Sequence, residues 1–150
     1  MRPSISMILL IGLLIAAGPA KDDEAKKDLA ALQGTWALES AEKDGKKVPE
    51  EEVKNTRLIV EGNKFRFSKD SKVGTSQEGT FVLDPTKSPK ATASTATVGP
   101  DKGKEFLGIY EIDGDKHTVC LAPPGKERPK ALSSKPGSGH FLQVWKRVKN

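Results

Sequence analysis

From Gly34 onward, apolar and polar residues alternate in short runs separated by clusters of Gly, Pro, Asn and Asp. This period-two pattern predicts an antiparallel all-β domain. Thr35 to Ser40 is the first run. Thr56 to Glu61 and Lys64 to Ser68 flank Gly62-Asn63 and predict a hairpin with Phe65 and Phe67 on one face. Gly79 to Leu83 places Phe81 and Leu83 together and ends at Asp84-Pro85, where proline removes a ladder donor. Lys90 to Val98 is rich in Thr and Ala, suited to an edge-like or closely packed strand. Glu105 to Ile112 and Lys116 to Ala122 flank Asp113-Gly114-Asp115, the strongest hairpin signal, because Asp-Gly supplies the positive φ angles that a two-residue turn needs. His140 to Val148 closes the chain.

About eight strands in sequential hairpins can leave no exposed edge by closing into an up-and-down barrel. Ahead of them, Ala25, Leu29 and Leu32 stand at helical spacing among charges, so Asp22 to Leu32 predicts a short helix leading into the domain. Pro123 to Gly139 has no periodic apolar pattern and reads as a long loop. It is either a lid over one barrel mouth or a packed surface loop pinned by Pro129 and Pro136.

The first twenty residues have an export layout: Arg2, an apolar stretch from Ile5 to Ala17, then Gly18-Pro19-Ala20. The expected division is a signal peptide over 1–20 and one domain over 21–150. The apolar stretch is short for a bilayer-spanning helix and charged residues follow at once, so no stable membrane span is expected after cleavage. Cys120 is the only cysteine and stands far from the cleavage region, which excludes a lipid anchor there and an internal disulfide. It is expected to face inward. Without Arg2 the 25 basic residues become 24 against 20 acidic ones, a net charge of +4. The charges are interspersed, which argues against nucleic acid as a partner.

Gly34-Thr35-Trp36 follows the helical lead-in and Lys146-Arg147 ends the last strand. This pairing is similar to the lipocalin and wider calycin pattern. There, a tryptophan plugs the closed base of the barrel and a basic residue of the final strand packs across its indole. The resemblance implies a structural base of Gly34, Trp36 and Arg147, with Lys146 as second candidate for the basic role. Further segments, among them Leu32-Gln33-Gly34-Thr35-Trp36, Asp44-Gly45-Lys46, Thr80 to Lys87, Ile109 to Asp115, Cys120, Arg128-Pro129, Gly137-Ser138-Gly139 and Leu142 to Arg147, resemble the secreted lipocalin-like domain family expanded in planctomycetes. That family implies an exported barrel and no transferable activity. The chain departs from typical lipocalins in its length and its lack of disulfide cysteines.

No catalytic constellation emerges. His117 and His140 lie on different strands without a third ligand at metal spacing, so they read as surface or hydrogen-bonded histidines and no metal is expected. His117 and Cys120, three apart on one strand, point to opposite faces and cannot form a nucleophile–base pair. Asp113-Gly114-Asp115 reads as a turn rather than a calcium loop. Gly137-Ser138-Gly139 lacks the Lys and the helix of a phosphate cradle. The binding signal lies in dispersed aromatics, with Trp36, Phe65, Phe67, Phe81 and Tyr110 as candidate ligand-binding residues. The expectation is an exported, non-catalytic module without cofactor, binding a small, partly apolar ligand. The rival is a filled barrel that binds an envelope protein partner or acts as an inhibitor. An apolar cavity of a few hundred Å³ would favour the first reading, and a solid interior the second.

Overall fold

The computed structural model describes residues 19–68 and 78–149, with side chains from residue 22 onward at the first end. The export layout of residues 1–20 therefore lies outside the described residues, save for the last two. Among the described residues the order is helix α1 (Pro19–Leu32), β1 (Gly34–Lys43), β2 (Lys46–Lys47), helix α2 (Glu50–Lys54), β3 (Arg57–Glu61), β4 (Lys64–Phe67), β5 (Glu78–Asp84), β6 (Ala91–Ala96), β7 (Glu105–Asp113), β8 (Lys116–Leu121) and β9 (Phe141–Arg147). Neighbouring strands pair antiparallel, and β1 also pairs with β9, closing β1 and β3 to β9 into an eight-stranded all-β barrel. Closure leaves no open edge in the ring. The two-residue β2 extends β1 by a hairpin outside it.

Turn chemistry sets the register. In the Gly62-Asn63 and Gly114-Asp115 turns the glycine is the first central residue, with φ of 61° and 58°, and its follower is not left-handed. That is the pattern of a type II′ turn, which needs one positive φ rather than two. The Asp44-Gly45 turn between β1 and β2 has both central residues left-handed, at 51° and 80°, as a type I′ turn requires.

Barrel β1 contains an irregularity at Leu38/Ser40. Trp36 and Leu38 are buried before it and Ala41 after it, so the buried face changes from even to odd positions. A bulge does this because the extra residue reverses the alternation. The core collects Trp36, Leu38, Leu58, Val60, Tyr110, Val119 and Trp145, together with Leu32 of α1 and Val53 of α2.

The long 123–139 loop packs on the outside of the barrel. The Arg128 guanidinium donates to Gly108 O at 2.7 Å and to Thr92 O, clamping the loop across β6 and β7. Ser134 Oγ accepts from Gly45 N at 3.0 Å and donates to His140 O at 2.9 Å. Its body is thus a packed surface loop rather than a lid. Cys120 is fully buried beneath it, with Sγ 3.5 Å from Ser133 O. The expected inward orientation is corrected here: residues 117, 119 and 121 of β8 line the interior, and Cys120 is on the opposite face. Burial pushes its thiol pKa up.

Candidate functional site

One end of the barrel is sealed by the base of α1. An α-helix leaves its last four carbonyls without intrahelical donors, and here each is met. Gln33 supplies Nε2 to Leu29 O and N to Ala30 O, at 3.0 and 3.3 Å. Arg147 donates to Ala31 O, and Trp36 Nε1 donates to Leu32 O at 2.9 Å. The Arg147 guanidinium lies 4.3 Å from the Trp36 ring centroid, donates to Gln33 O at 2.8 Å and pairs through Nε with Asp115 at 3.3 Å. A cation at the helix C-terminus also complements its dipole. Gly34 is left-handed at φ 109°, and a Cβ there would stand 3.4 Å from the Arg147 guanidinium, so the glycine admits both the backbone and the arginine.

Above this floor is a cavity of about 330 Å³. Its wall is the inward residue set of the strands: Leu58 and Val60 of β3, Phe65 and Phe67 of β4, Phe81 and Leu83 of β5, Thr92, Ser94 and Ala96 of β6, Phe106 and Tyr110 of β7, His117, Val119 and Leu121 of β8, and Phe141, Gln143 and Trp145 of β9. Leu32 reaches it from the floor. Lys43, Asp101, Lys104, Pro123, Pro124 and Gly139 line the opposite, mouth end. The two ends of the 123–139 loop therefore shape the mouth although its body lies outside.

Four sequence candidates, Phe65, Phe67, Phe81 and Tyr110, line the cavity together. Trp36, the fifth, is fully buried in the floor and is not part of the lining. The indole that meets the cavity is that of Trp145, stacked on Phe67 with ring centroids 5.9 Å apart. Its Nε1 donates to Gln143 Oε1 at 3.1 Å.

Two polar features stand out in this apolar wall. Tyr110 donates its hydroxyl to Asp28 Oδ2 at 2.7 Å, and Lys90 Nζ stands 2.9 Å from the same oxygen. Burial, then the Asp28 hydrogen bond and charge, raise the phenol pKa well above its ordinary value. His117 is the other. Contrary to the expectation of a surface or hydrogen-bonded ring, it is buried at 7% exposure, and its Nδ1 has no hydrogen-bond partner. Its ring meets Trp36 edge-on at 5.6 Å. Desolvation lowers its pKa from 6.5 to about 4, so the imidazole is neutral at neutral pH.

His117, Gln143 and Trp145 were absent from the sequence candidates. Their signal was parity: His117 shares a face with Val119 and Leu121, and Gln143 and Trp145 share one with Phe141. Among the described residues no group of three or more His, Cys, Asp or Glu is placed to hold a metal ion, and no helix is long and apolar enough to cross a membrane. The fold and site define a closed antiparallel β-barrel with an apolar internal cavity above a plugged floor. No family model, curated protein or solved structure matches the chain.

Proposed function

We propose that this protein is an exported, non-catalytic binding module that holds one small, partly apolar molecule inside its barrel. The observation that carries this reading is the cavity of about 330 Å³, walled by phenylalanines, aliphatic side chains and Trp145. Small-molecule sites typically occupy about 300–1,000 Å³ with a mostly apolar lining and a few polar groups, and this cavity stands at the lower end of that range. Burying an apolar ligand there removes its surface from water, the dominant favourable term in such binding.

Titration with representative fatty acids, isoprenoids and aromatic metabolites tests the reading. A ligand entering the barrel perturbs Trp145 emission saturably and raises the melting temperature by linkage. Absence of both responses across the panel overturns it.

A second reading, docking of an envelope protein partner, is favoured by one surface feature. Val82 is 66% exposed on the outer face and borders a groove that includes Pro89, Ile109 and Pro129. The lower weight of this reading follows from the interior: a barrel serving only as a scaffold gains stability from a filled core, and this one leaves room.

A further inference from the structure

Resting on the cavity-binding reading, we infer that the cavity is built for a neutral apolar molecule bearing a hydroxyl group, and that His117 is the residue that receives that hydroxyl.

The barrel wall supplies abundant apolar area, yet it places a histidine between Trp36 and the cavity. His117 pairs in register with Trp145 across β8 and β9, and Val119 pairs with Gln143 one step nearer the mouth. His117 thus belongs to the deep half of the cavity. None of the described protein groups hydrogen-bonds its ring, and Nδ1 is buried without a partner. Buried polar atoms in folded proteins are almost always paired; Nδ1 is enclosed by protein atoms, so Nε2, the accessible nitrogen of this cavity-lining ring, is where a partner from outside the chain is met. Of the other polar groups nearby, Gln143 Oε1 accepts from Trp145 and the Tyr110 hydroxyl donates to Asp28.

The chemistry of that partner follows from the charge state of the ring. A neutral imidazole has one donor and one acceptor nitrogen, and a hydroxyl, which both donates and accepts, pairs with Nε2 in either tautomer. A carboxylate in the same place would be a buried anion beside an uncharged ring, because the cations of the floor, Arg147 and Lys90, stand outside the cavity lining and are already paired with Asp115 and Asp28; burying an unpaired charge is far costlier than burying a hydroxyl. The lysines of the cavity, Lys43 and Lys104, are at the mouth. An acid is therefore excluded from the floor, and a purely hydrocarbon ligand leaves His117 as unpaired as before.

The test is a matched set of rigid probes, 2-naphthol, naphthalene and 2-naphthoate, measured by equilibrium binding to the parent chain and to His117→Leu. The parent binds 2-naphthol about tenfold or more tightly than naphthalene, and 2-naphthoate most weakly. His117→Leu retains naphthalene binding and brings the two neutral probes within about twofold, and it melts at or above the parent because a buried unpaired nitrogen is removed. Should that variant fail to fold, side-chain ¹⁵N spectra of the parent decide independently: 2-naphthol shifts the His117 ring nitrogens and naphthalene does not, with the half-buried His140 as internal reference. Equal binding of naphthol and naphthalene by the parent, or a naphthol preference that survives in His117→Leu, overturns the inference while leaving the cavity reading intact. Failure of all three probes to bind saturably overturns both.

Discussion

Arg147 and Trp36, one from the last barrel strand and one from the first, form a single structural unit in which the guanidinium lies 4.3 Å from the indole centroid while both side chains donate to the final carbonyls of α1. Together they close the strand ring, seal its floor and dock the helix. Trp36→Ala removes a fully buried core aromatic and should cost about 3–5 kcal/mol in denaturant unfolding. Arg147→Ala should cost about 1.5–3 kcal/mol, the range for hydrogen bonds to charged groups, and Arg147→Lys should recover little because an ammonium cannot stack on the ring and span two carbonyls. A Trp36→Ala protein that unfolds with the parent would remove the floor as a stabilising unit.

The neutral buried His117 makes stability depend on acid. Its folded pKa is depressed from 6.5 to about 4, so below pH 6.5 the unfolded chain takes up a proton that the native chain does not. Stability contributed by the neutral ring is full above pH 6.5 and is lost as pH falls toward 4, to the extent of roughly 3 kcal/mol. The difference in unfolding free energy between His117→Leu and the parent, measured from pH 7 to pH 4, should grow by about that amount in favour of the variant. A difference that stays flat would show that the ring protonates freely in the folded state.

Tyr110 acts at the other extreme of pH. It is the only tyrosine of the chain, so its titration is read directly from tyrosinate absorbance. Burial and the bond to Asp28 raise its pKa, and the native chain therefore keeps the phenolic proton after the unfolded chain has lost it. Stability is fully present below about pH 10 and falls as pH rises above it. Tyrosinate should appear only together with unfolding, and Tyr110→Phe should abolish this component of the alkaline loss. Tyrosinate formation near pH 10 in the folded protein would contradict the Tyr110–Asp28 bond.

The loop over Cys120 gives a chemical readout of Arg128. A buried thiol of raised pKa should react slowly with a thiol reagent in the native protein and quickly once denatured. Arg128→Ala frees the loop from Thr92 O and Gly108 O. Each ~1 kcal/mol lost from loop closure should speed labelling about fivefold. Unchanged labelling in that variant would mean that other contacts hold the loop.

The features legible in the sequence were those governed by local rules. Period-two alternation located the eight barrel strands and the Gly-centred turns located two hairpins, whereas Gly34-Thr35-Trp36 with Arg147 pointed to the floor only through the family pattern those residues resemble. Phe65, Phe67, Phe81 and Tyr110 were legible as interior residues through the same alternation. What escaped depended on tertiary context. The irregularity at Leu38/Ser40 reverses the alternation within one strand, so residues beyond it cannot be assigned by parity from Trp36. Helix α2 is a single short turn anchored by Val53 alone, with too few periodic positions to register. Cys120 is buried because the loop that follows β8 folds back over the outside of that strand, and hydrophobicity does not tell that burial from an interior one. Trp36 and Trp145 are both fully buried, and only the three-dimensional arrangement shows which one meets the cavity.

The reading of export is tested by N-terminal sequencing of mature material, which should begin at or within a few residues of Lys21. Recovery of an intact chain from Met1 in the membrane fraction would make the segment an anchor instead.

Binding inside the barrel is tested most directly by blocking it. Ser94 lines the cavity from β6 with a small side chain, and Ser94→Phe fills part of the space without touching the floor. Titration of the parent with the tightest neutral apolar ligand found should give a saturable change in indole emission and a linked rise in melting temperature. In Ser94→Phe, folded by circular dichroism, both responses should fall by at least about tenfold in affinity. A response of equal strength in parent and variant would place the ligand outside the barrel and contradict the account.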